Sequence, residues 1–171
     1  MRKGADLAYH WATMCVLTLP IDRRDRELES IPSAPGTYVL ILRVEASVRL
    51  QIGRLGRFDV PPGGYAYVGS AFGSGGLRGR LRHHLAPVRR PHWHIDWFRT
   101  AASVCEVWVA EGAAVEHAWA GHLLEQPGAF APIPRFGASD CGCATHLIGF
   151  PQPIQYAGVI ADSMAAHIPG R

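Results

Sequence analysis

The chain has 171 residues, 48% of them hydrophobic and 18% charged, with a net charge of +3. That is room for one domain with its own core, and it excludes a disordered polymer. No run approaches the roughly eighteen apolar residues of a membrane span; the apolar stretch from Trp11 to Leu19 follows Asp6 and His10 without a small-x-small cleavage pattern, so neither anchor nor signal peptide is expected, and the expected compartment is the cytoplasm.

Residues 1–34 are mixed, closing on the charge-dense Asp22 to Glu27 and the turn-rich Pro32 to Pro35. They read as an N-terminal extension with one short element, ahead of a single domain over 35–150 and a tail over 151–171. Gly36 to Val44 is β-branched and aromatic with both alternating faces apolar, which fits a central strand. Ser47 to Gly53 alternates and is expected to pair with it. Pro61 to Gly64 breaks the chain, and Gly64 to Ala71 reads as another strand. The glycines at 73, 75 and 76 lead into a helix from about Leu77 to Leu85, and Pro87 to Pro91 interrupts before a second helix from about His92 to Thr100. Ser103 to Ala110 is a strand. Ala113 to Leu124 is helical, with Val115, Ala118, Trp119, His122 and Leu123 on one stripe. After Pro127 the chain is loop-like until a short strand from Thr145 to Phe150. The order of elements predicts an α+β fold, a small and mainly antiparallel sheet flanked by helices.

The charge is concentrated. Between Gly76 and Thr100 stand Arg78, Arg80, Arg82, Arg89, Arg90 and Arg99 against the single acid Asp96, so this segment alone carries +5 and the remainder −2. Such a patch attracts polyanions; the plainer alternative is a solvated helix face. At about 100° per residue, Leu77, Leu81 and Leu85 form the buried stripe, with His84 about 60° and Arg80 about 100° from its centre on one flank. Arg78 and Arg82 fall on the other flank, towards solvent. Arg80 and His84 are thus neighbours at the border of core and water, where a guanidinium can fork onto a phosphate and the preceding glycine loop can offer backbone N–H groups. An ordinary surface ion pair is the alternative for Arg80. In His92-Trp93-His94-Ile95-Asp96-Trp97, the tryptophans are expected to pack while His92 or His94 reaches the cleft.

Cys15, Cys105, Cys141 and Cys143 are too few and too uneven for a disulfide scaffold, so reduced thiols are expected. Cys141, Cys143 and His146 supply three zinc ligands, with a distant Cys105 or another histidine as the only sources of a fourth. A turn of closely packed small residues is the alternative.

Gly36-Thr37-Tyr38, then Tyr67-Val68-Gly69, then Arg80 followed four residues later by His84, and Glu116 on a later helix, together resemble the GIY-YIG nucleases. The likeness covers about residues 36–125. It extends to about Phe150 through an uncharacterised branch whose members carry an HWHID-like stretch and a Cys-x-Cys-x-x-His segment. The resemblance implies a metal-dependent endonuclease that hydrolyses phosphodiester bonds in DNA, with RNA left open. In that role Tyr38 or Tyr67 assists the attacking water, His84 relays the proton, Arg80 stabilises the phosphoryl charge and Glu116 holds Mg²⁺ or Mn²⁺. Glu111 and Glu125 compete with Glu116 for the metal. Arg78, Arg82, Arg89, Arg90, His92 and His94 are the expected nucleic-acid contacts. The alternative is a non-catalytic nucleic-acid-binding module of the same fold, and a zinc-binding structural protein is a third reading. The first triplet has Thr37 in place of isoleucine, and the spacing between the two tyrosines is longer than in relatives. Glu45 to Gly64 is read as a hairpin added outside the sheet, which leaves Tyr38 and Tyr67 on adjacent strands. Tyr65 is expected to be half-buried with its hydroxyl in water.

Overall fold

A computed structural model of the chain describes the backbone of residues 15–18 and all of residues 28–151. Most of the N-terminal extension and nearly all of the tail lie outside the described residues.

The fold is α+β, as its sequence pattern predicts. Five strands form one antiparallel sheet: β1 (Cys15–Thr18), β2 (Gly36–Val44), β5 (Gly63–Ser70), β6 (Ser103–Glu111) and β7 (Leu147–Phe150), in the order β1-β6-β2-β5-β7. β2 is central, and its continuous apolar run follows from burial on both faces. One face packs Tyr38, Leu40, Leu42, Tyr65, Tyr67 and Val107 against helices α1 (Gly76–Leu85) and α2 (His94–Phe98) and against Ile133 and Phe136. The other packs Val39, Ile41, Val68, Trp108 and Ile148 under helix α3 (Glu116–Leu124), through Trp119, Ala120 and Leu123. In α3 the buried stripe includes Ala120; Ala118, expected on it, is exposed. Among the described residues no helix is long and apolar enough to cross a membrane.

The insertion forms a hairpin of β3 (Val48–Ile52) and β4 (Gly56–Val60), separate from the five-stranded sheet. The expected pairing of residues 47–53 with β2 is therefore corrected. Their partner is β4, and β2 instead pairs directly with β5. Tyr38 stands opposite Gly69, and Tyr67 opposite Leu40. Period two puts Tyr38 and Leu40 on one face, so the two tyrosines are diagonal neighbours on it.

Thr37 also has a structural task. Its buried hydroxyl donates to the Ala113 carbonyl at 2.7 Å and accepts from the Val115 N–H at 3.1 Å, tying the entry of α3 to the central strand. An isoleucine could make neither bond.

Candidate functional site

The centre is built on the two tyrosines. Their ring centroids are 6.3 Å apart. Gly69 leaves room for this, because a Cβ there would overlap the Tyr38 ring. The Tyr38 hydroxyl lies 2.8 Å from His84 Nε2, and His84 Nδ1 is 3.8 Å from Asp96 Oδ1, which is ion-pair range and too long for a hydrogen bond. Tyr38, His84 and Asp96 are each about 1% exposed. Burial, with the neighbouring Tyr67, pushes the Tyr38 phenol well above its ordinary value, and burial followed by the Glu116 charge raises Tyr67. Both phenols are therefore protonated at neutral pH, and Tyr38 donates to Nε2 when the imidazole proton is on Nδ1, the nitrogen that faces Asp96. Tyr65 is fully buried, not half-buried; its hydroxyl donates to the Pro61 carbonyl, and burial raises it to about 12.

Asp96 is the hub of the centre. Its Oδ2 accepts from the His92 and Trp93 N–H groups, each at 3.0 Å, and its Oδ1 meets His83 Nε2 at 3.2 Å. Burial alone would raise this carboxyl; His84, the two backbone donors and His83 outweigh burial and hold it well below the usual carboxylate range. Burial lowers the His84 pKa despite Asp96. The folded value of His84 thus lies below the unfolded one. Its contribution to stability is full above the unfolded value of roughly 6.5 and is lost as pH falls from there through the folded value. The advantage of the wild type over His84→Gln in urea unfolding is therefore expected to shrink between pH 7.5 and pH 5.5. A constant difference would mean that His84 is not held neutral by the fold.

Arg80 borders the same centre, and its positive charge draws down both phenols. Its guanidinium lies 4.3 Å over the Trp93 ring. Trp93 is 37% exposed, so it does not pack in the core as expected, whereas Trp97 is half-buried beside Gly53. Arg78 lies on the other flank of α1. Its guanidinium donates to the Ile31 and Glu29 carbonyls at 2.6 and 3.1 Å. The N–H groups of Leu77 and Arg78 donate to Ala34 and Pro32, so these amides at the start of α1 are taken by the chain itself. Arg82, Arg89, Arg90 and His92 are exposed. A depression lined by His83, Arg89, Arg90, Asp96 and Arg99 opens beside the centre. His94 turns inward, and its Nδ1 accepts from the Gly137 N–H at 3.1 Å.

Glu116 opens α3, and its charge acts on both tyrosines. Its Oε1 lies 3.1 Å from His146 Nδ1. The distance is that of a hydrogen bond without the alignment, and Nδ1 has no other partner. Beside it, Cys141, Cys143, His146 and His117 converge, one ligand atom of each lying within 4.8 Å of all the others. Cys141 Sγ is 3.5 Å from His146 Nε2, and Cys143 Sγ is 3.3 Å from His117 Nδ1. The described thiols, at Cys105, Cys141 and Cys143, are free. Cys105 lies exposed on β6 and takes no part in the cluster. His83, His84 and Asp96 form a second convergent group, in which the carboxylate is already met by backbone donors.

Tyr38, Tyr67, Arg80, His84 and Glu116 are thus one neighbourhood. Two residues beyond that set complete it. Asp96 had its isolation in a basic run as its sole signal. His117 had none beyond being a histidine next to a singled-out glutamate, because the ligands it meets lie more than twenty residues away. No curated protein and no solved structure matches the chain. The family model described as "Domain of unknown function DUF123" matches residues 37–168, more than half of the sequence, and therefore all the described residues of the site. The chain belongs to that family.

Proposed function

We propose that the chain is a metal-dependent endonuclease of the GIY-YIG type, hydrolysing phosphodiester bonds in DNA. The observation that carries this reading is the adjacency of Tyr38 and Tyr67 on directly paired strands, with Arg80 and Glu116 both acting on the pair. Tyr67, at 8% exposure, is the more open phenol and faces the phosphate; Tyr38 stands behind it. As water attacks phosphorus, its proton passes to the Tyr67 oxygen, the Tyr67 proton passes to the Tyr38 oxygen, and the Tyr38 proton moves to His84 Nε2. Asp96, held as a carboxylate, faces the imidazolium that results. Arg80 forks onto the non-bridging oxygens as charge develops. Glu116 would hold Mg²⁺ or Mn²⁺ through oxygen, and that ion would supply neutralisation of charge at the leaving oxygen.

Arg82, Arg89 and Arg90, with the depression beside them, suit the backbone on either side of the cut. The deep burial of both phenols favours a second reading, a non-catalytic nucleic-acid-binding module of the same fold.

The test incubates the full chain with end-labelled DNA, and separately RNA, in Mg²⁺ or Mn²⁺. Cut DNA that disappears with chelator supports the nuclease. Salt-dependent binding without product in either metal favours the module, with a log–log salt slope that falls by about one for each of Arg82 and Arg89 neutralised. Absence of both overturns the two readings together.

A further inference from the structure

We infer that Cys141, Cys143, His146 and His117 form a closed tetrahedral zinc site that pins the start of α3 to the segment entering β7.

Four ligands of the right type arrive from three separate places. Two thiols come from the 141–143 turn, His146 from the residue preceding β7, and His117 from the first turn of α3. Zinc binds sulfur at about 2.3 Å and nitrogen at about 2.0–2.1 Å, so the sulfur–nitrogen edge of a tetrahedral site is about 3.5 Å. The two sulfur–nitrogen separations are 3.5 and 3.3 Å, one to each histidine. The nitrogens concerned are Nε2 of His146 and Nδ1 of His117.

The surroundings fit a metal as well. His146 is 1% exposed, and its other nitrogen faces Glu116 Oε1 at 3.1 Å. A carboxylate behind a ligating imidazole fixes the tautomer, so that the ring presents its lone pair to the metal. The turn is braced by Arg135, whose guanidinium donates to the Cys143 carbonyl at 2.9 Å and whose N–H donates to the Ala144 carbonyl at 2.7 Å. With four protein ligands no position is left for water, which makes the site structural. Two cysteines and two histidines also select Zn²⁺ over the oxygen-seeking Mg²⁺.

The consequence for the neighbouring centre is positional. Glu116 immediately precedes one ligand and touches another, so zinc would hold its carboxylate beside the tyrosines. This site stands whether or not the chain cleaves DNA, because it is read by metal content and spectrum alone.

The full chain, purified without added metal, is expected to carry one zinc per molecule by mass spectrometry. His117→Ala and Cys143→Ser are expected to lose most of it, while the exposed Cys105→Ser keeps it. Glu116→Gln retains an acceptor for His146 and should keep zinc. Cobalt substituted into the wild type should give the intense visible bands of a tetrahedral site with a thiolate charge-transfer band, a reading that needs no variant to fold. A wild type that neither carries zinc nor takes it up stoichiometrically would overturn the site. So would an octahedral cobalt spectrum, or wild-type zinc content and affinity in folded His117→Ala.

Discussion

Arg80→Ala is expected to lower single-turnover cleavage of DNA by about 10²- to 10³-fold, the usual cost of deleting one charge-stabilising donor. The fold should scarcely register the change. Arg80 lies at the rim of α1 and is not among its buried residues. Its contact over Trp93 is a cation–π interaction at a partly exposed ring, with a contribution of roughly 0.5–1 kcal/mol. Kinetics and urea unfolding on one preparation separate the two effects. A variant that unfolds, or one that loses several kcal/mol, would make Arg80 structural; one that cleaves at the wild-type rate would remove it from the chemistry.

Asp96→Ala has the largest expected effect on stability, a loss of about 3–5 kcal/mol, as for removing one partner of a buried charged network. The carboxylate is 1% exposed and satisfies the His92 and Trp93 N–H groups at the start of α2, which lose their acceptor together. His83 and His84 lose the charge that faces them. Asp96→Asn keeps one acceptor oxygen and should cost less, while still slowing cleavage, because the uncharged amide no longer stabilises an imidazolium on His84. Chemical denaturation decides the first point: a loss within about 1 kcal/mol for Asp96→Ala would mean that the hub is dispensable.

Burial on both faces made β2 legible in the sequence, since a strand covered twice reads as a largely apolar run, and the Pro61 to Gly64 break marked the start of β5. The Leu77–Leu81–Leu85 stripe placed Arg80 and His84 together at the border of core and water, whereas the fold buries His84 and leaves Arg80 at the rim. The hairpin's second strand, Gly56–Val60, was not legible: Arg57 and Asp59 interrupt it, and its pairing rests on a register with β3 that only the turn fixes. The contacts of Arg78 with Glu29 and Ile31 were not legible, because helical periodicity sees one helix at a time, whereas the chain around Glu29 to Ala34 lies against that flank. Asp96 and His117 share a different obscurity. Each acts on residues brought to it by the sheet: Asp96 on α1 across the 87–91 turn, and His117 on the Cys141–Cys143 turn across the whole of α3. Spacing carries no trace of such meetings.

The most direct test of the catalytic centre is a crystal structure of Glu116→Gln bound to DNA, in which a phosphate can be located without being cut. The account predicts that phosphate beside the Tyr67 hydroxyl, within hydrogen-bond reach of the Arg80 guanidinium and next to residue 116, with flanking phosphates on Arg82, Arg89 or Arg90. DNA lying only across the Arg89–Arg90 depression, with no phosphate at Tyr67 and Arg80, would contradict it.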